Sequence, residues 1–152
     1  MYALILLTLI TVCYAAYNLL VKVSGSHAGA SAPIFATIGL QLAALSVSLV
    51  YLAVLMRQGA AVALPPRALL FGIAAGCCIG AAEVMYFYLF RGIAGEPGMS
   101  AGVAIPVIVG GTIVIAMLVA GVVFGETFAP VQWAGIMLTL GGMLLLALGA
   151  RQ

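Results

Sequence analysis

Charge is what this chain has least of. Five lysines and arginines and three acidic residues amount to 5% of its 152 residues. A soluble domain carries about a quarter charged residues, so a soluble surface cannot be covered from this supply. Histidine occurs once, as His27, in a stretch that reads as a loop. There is no Ser/His/Asp set, no phosphate-binding loop and no ligand cluster with metal spacing, so no enzyme, cofactor or metal site is expected. The three cysteines, Cys13, Cys77 and Cys78, fall inside apolar runs, and neighbouring Cys77 and Cys78 would form a strained bridge. They read as small buried apolar residues. A net charge of +2 is too small and too scattered to suggest nucleic acid.

What the chain has is apolar length. Two thirds of it, 66%, is hydrophobic, and its mean hydropathy is +1.36. Charges and turn residues cut it into five long apolar segments, each exceeding the ~20 residues that cross ~30 Å of hydrocarbon. The runs are continuous rather than alternating, which points to helices rather than a barrel. The expectation is an all-α membrane protein, residues 1–152 forming one five-helix transmembrane domain with helices near 2–23, 33–56, 67–91, 99–125 and 129–149. The first segment lacks the basic start and early small-residue cleavage site of a signal peptide. Glu126 or Thr127 would cap the fifth helix, with Pro130 in its first turn.

Five spans place the two termini on opposite sides. With the N-terminus inside, Arg57 and Arg67 lie inside, and Lys22, Arg91 and Arg151 lie outside. Two against three gives almost no orientation preference by the positive-inside rule. This suits a protein that inserts both ways and pairs with an inverted copy; it is also what short loops with few charges give.

The polar residues are not scattered round the helices. Thr11, Tyr14, Asn18 and Lys22 form one stripe on the first span, extended by Thr8. Such a stripe faces protein or a water-filled cavity rather than lipid. On the second span Thr37, Gln41, Ala44 and Ser48 make a weaker stripe, and Gln41 needs a partner. On the third, Gly72, Gly76 and Gly80 repeat at four-residue spacing, a packing pattern that admits a close neighbour. That face runs on into Glu83 and Phe87, with Tyr86 and Phe90 beside it. Glu83 stands eight residues before Arg91, about 12 Å along the axis, too deep for a short side chain to reach water. An ionised carboxyl at a helix centre costs roughly 2.5–3.5 kcal/mol. A group under that penalty exchanges a proton readily or holds a cation when deprotonated; a neighbouring Lys22 would instead make it a structural pair. The fourth span contains Pro106, then Gly110 and Gly111, the elements of a hinge.

The stretch VVFGETFAPVQWAGIMLTLGGMLLL (122–146) resembles the end of the EamA-like domain of the drug/metabolite transporter superfamily. Gly125, Glu126, Gln132, Trp133, Gly135 and Gly142 match as they stand; Asn18, Lys22 and Pro106 also fit, and the resemblance covers the whole chain as five helices. Members commonly carry two five-helix repeats of opposite topology, so the resemblance implies a single repeat. It would work as an antiparallel homodimer, or a heterodimer with a sister chain, around a central cavity. The related small multidrug-resistance transporters carry an essential glutamate in their first span, eight residues before a lysine. Here that position is Tyr14, and depth and helix face nominate Glu83 on the third span instead.

The expected function is therefore transport of small organic solutes by alternating access in a dimer. Glu83 would be the proton or cation site of an antiporter, Tyr14, Asn18 and Tyr86 would shape that site, and Pro106, Gly110 and Gly111 would bend. The expected location is a bacterial inner membrane. Two alternatives stand beside it: a flippase, or flippase subunit, for a lipid-linked metabolite, and a non-transporting subunit that docks a partner on its glycine face.

Overall fold

In a computed structural model, which describes residues 2–27, 29, 32–60 and 63–149, the chain forms five helices. They are α1 (Tyr2–Ser26), α2 (Ala32–Arg57), α3 (Pro66–Arg91), α4 (Ala101–Val123) and α5 (Pro130–Gly149). Their ends fall within three residues of those expected from the sequence. All five are long and apolar enough to cross a membrane.

The helices stop where the sequence gives them reason to. α3 opens on Pro65 and Pro66, whose fixed φ and missing N–H suit a first turn. It closes at Gly92, whose φ is +98° while its N–H reaches the Tyr88 carbonyl at 2.9 Å. A side chain at Gly92 would strike the backbone of Glu96 to Gly98, so only glycine fits this stop. At α5 the cap that forms is supplied by Gln132 rather than by the expected Glu126 or Thr127. Its Oε1 accepts the Ala129 N–H at 2.7 Å, as the third residue of a capping box does. Pro106 sits inside α4 and removes one helical hydrogen bond there.

Packing divides the chain into two compact units, Met1–Gly98 and Met99–Gln152. In the first, α1, α2 and α3 pack together. Tyr17 meets Glu83, Asn18 meets Tyr86 and Lys22 meets Phe90. The paired positions climb together, so α1 and α3 run parallel. Where they cross near one end, Gly25 lets Phe90 approach: a Cβ on Gly25 would stand 3.1 Å from the Phe90 Cβ and 3.3 Å from the Phe87 carbonyl oxygen. Val21, Phe87 and Phe90 are each 2% exposed and form the small core beside it.

In the second unit α4 packs antiparallel on α5. Gly110 is buried, and Met143 and Thr139 of α5 lie directly over it. At the far end Phe128 packs beside Gly121, and its ring meets Trp133 edge to face at 6.1 Å.

Most of the apolar surface faces outward. At most 11% of the most apolar window of any span is buried. In water such a surface would aggregate; in hydrocarbon it is the expected exterior.

Candidate functional site

Two neighbouring side chains on α1 reach α3, and each does so for a local reason. Asn18 is held by its own helix, its Nδ2 donating to the Tyr14 carbonyl at 2.8 Å. That fixes Oδ1 outward, where it accepts the Tyr86 hydroxyl at 2.8 Å. Both residues are 7% exposed, so this bond is shielded from competing donors. The threonines of the same stripe make no such bridge: Thr8 and Thr11 return their hydroxyls to the Leu4 and Leu7 carbonyls.

One turn along α3 lies Glu83, 4% exposed. Tyr17 donates its hydroxyl to Glu83 Oε1. The second oxygen, Oε2, is buried and has no hydrogen-bond partner among the described residues. Glu83 forms part of the wall of a cavity of about 470 Å³ between α1, α2 and α3. Tyr14 and Tyr17 line it from α1, Gln41 from α2, and Gly76 and Ile79 from α3. Tyr14 and Tyr17 stand edge to face, with ring centroids 6.2 Å apart.

The expected site residues thus divide. Glu83 and Tyr14 border the cavity; Asn18 and Tyr86 do not, and instead tie α1 to α3 behind it. Tyr17 is the residue that sequence reasoning passed over. It follows Tyr14 by three positions, so helical spacing places it near the same side, at the margin of the stripe rather than on it. Lys22 sets its ammonium 5.1 Å from the centre of the Phe90 ring, a cation–π distance. Phe90 is seven residues past Glu83, roughly 10 Å along α3.

Of the three packing glycines, Gly80 has a close neighbour, the amide of Gln41, 3.0 Å from where a Cβ would stand. Gly72 and Gly76 meet nothing within 4 Å among the described residues. Glycine at position 80 thus admits the Gln41 amide to the α3 surface at the cavity edge. Of the three hinge candidates, Gly110 is packed beneath α5, a Cβ on Gly111 would stand 3.8 Å from the Met143 methyl, and Pro106 is part-buried.

Five helices long and apolar enough to cross a membrane point to an integral membrane protein, and three of them border a cavity beside a buried carboxyl whose Oε2 lacks a partner among the described residues. The chain matches no known protein family, no curated protein and no solved structure.

Proposed function

We propose that this protein is a membrane transporter of small organic solutes, of the drug/metabolite type, working by alternating access with Glu83 as its proton or cation site. The observation that carries the reading is the Glu83 carboxyl itself, 4% exposed, with Oε2 unpartnered beside a 470 Å³ chamber. Buried ionisable groups inside membrane bundles are costly and mark solute or proton paths, and the chamber falls in the 300–1,000 Å³ range typical of small-molecule sites. The resemblance to the EamA-like repeat agrees with this reading.

In this reading the unit of function is a dimer, either of inverted copies or with a sister chain, in a bacterial inner membrane. The near-balanced basic residues and the odd number of spans support it. Pro106, with Gly111 five residues further along, would allow α4 to bend. The test is uptake of small organic amines into proteoliposomes under an imposed pH gradient. Uptake that needs the protein and collapses with the gradient supports proton-coupled transport; none across the panel opposes it.

A second reading rests on Gly72 and Gly76, which are open along one face of α3. A partner helix docking there would make the chain a non-transporting subunit. It predicts assembly without uptake.

A further inference from the structure

Resting on the reading of this chamber as a solute site, we propose that its substrate is a cation bearing at least one N–H, a protonated primary, secondary or tertiary amine, and that quaternary ammonium ions are disfavoured. Glu83 presents its two oxygens differently. Oε1 already accepts the Tyr17 hydroxyl; Oε2 is buried with no partner among the described residues. A ligand that satisfies Oε2 must supply a hydrogen as well as a charge. A protonated amine brings both. A quaternary ammonium is a charge wrapped in alkyl groups, and it leaves the buried acceptor unmet.

Sites for quaternary ions compensate with several aromatic faces around the charge. This wall offers Tyr14 and Tyr17, and they turn edge to face toward each other at 89°, while the Tyr17 hydroxyl is committed to the carboxyl. Gln41 adds one neutral amide from α2, and the rest of the lining is aliphatic or small, through Leu40, Ala44, Gly76 and Ile79. Such a surface suits the hydrocarbon body of an amine and adds little attraction for the charge itself.

Tyr17 also sets how many N–H groups are useful. With Oε1 taken, one N–H is enough, so a tertiary amine satisfies the site as fully as a primary one. Removing the Tyr17 hydroxyl opens Oε1 and rewards amines that carry two or three hydrogens.

The test is calorimetric titration of the purified full-length protein in detergent with benzyldimethylamine, protonated at neutral pH, and with benzyltrimethylammonium, in which a methyl replaces that proton. The tertiary amine is expected to bind more tightly, by roughly 5- to 140-fold if one buried hydrogen bond is at stake. Glu83→Gln is expected to weaken the amine strongly, and Tyr17→Phe to shift preference from benzyldimethylamine toward benzylamine. Equal or tighter binding of the quaternary ion, with Glu83→Gln still abolishing it, overturns the N–H requirement and leaves the solute site standing. Binding of neither compound, or binding untouched by Glu83→Gln, overturns both. The preference between the paired ligands is read on the unaltered protein, so that comparison does not depend on any variant folding.

Discussion

Tyr17 donates its hydroxyl to Glu83 across the α1–α3 interface, and the carboxyl is left with Oε2 as the buried side-chain atom that lacks a partner among the described residues. The pair joins structure to function. One oxygen of the carboxyl joins two helices, and the residue borders the cavity between α1, α2 and α3.

Tyr17→Phe removes the donor and strands a second carboxylate oxygen. The expected cost is about 1–3 kcal/mol, the penalty for leaving a buried acceptor unmet. Thermal unfolding in detergent, followed by circular dichroism, should show a lowered midpoint. An unchanged midpoint would mean that the bond contributes nothing net to helix association.

Asn18 and Tyr86 give an independent reading of the same interface. A double-mutant cycle of Asn18→Ala and Tyr86→Phe should return a coupling of about 0.6–1.7 kcal/mol, the range for hydrogen bonds between membrane helices. Neither residue lines the chamber, so both single variants should lose stability more than ligand affinity. Titration beside unfolding separates the two effects.

The glycines are expected to behave unequally. A Cβ on Gly25 would press on Phe90 and on the Phe87 carbonyl, and backbone cannot give way as a flexible side chain can. Gly25→Ala should therefore cost about 1–3 kcal/mol. At Gly72 a Cβ meets nothing within the protomer among the described residues, so Gly72→Ala should leave the unfolding midpoint unchanged or slightly raised. If Gly72→Leu also leaves the protomer intact but lowers the oligomer fraction in sedimentation, a second helix uses that face.

Orientation separates the two assemblies. For inverted homodimers, reporters fused to either terminus should each be found on both sides of the membrane in one population. A single fixed orientation removes the homodimer and requires a sister chain of opposite topology.

Much of the fold was legible because the membrane makes the code coarse. Uninterrupted apolar length sets a span, and Lys22, Arg57, Arg67, Arg91 and the proline-glycine turns mark its ends. Glu83 was legible for the same reason, as a charge at forbidden depth. The partners were not. Helical spacing tells which residues share a face, but not which neighbour that face meets. Of the stripe through Thr11, Tyr14, Asn18 and Lys22, extended by Thr8, the two threonines bond to their own helix, and the residue that reaches Glu83 is Tyr17 at its margin. Gln132 was missed as a cap because its role depends on side-chain reach back to Ala129, where composition points to Glu126 and Thr127. Gly110 read as part of a hinge, and it lies packed beneath Met143; glycine spacing alone does not separate bending from close approach.

The most direct test of the central claim, that Glu83 is the working group of a solute pathway, is amine uptake into proteoliposomes by the Glu83→Gln protein across a series of imposed pH gradients. Glutamine keeps the shape and can still accept from Tyr17, but it carries no charge and exchanges no proton. The account predicts that uptake falls to the level of empty liposomes and no longer responds to the gradient. Uptake at the unaltered rate, still driven by the gradient, would contradict it.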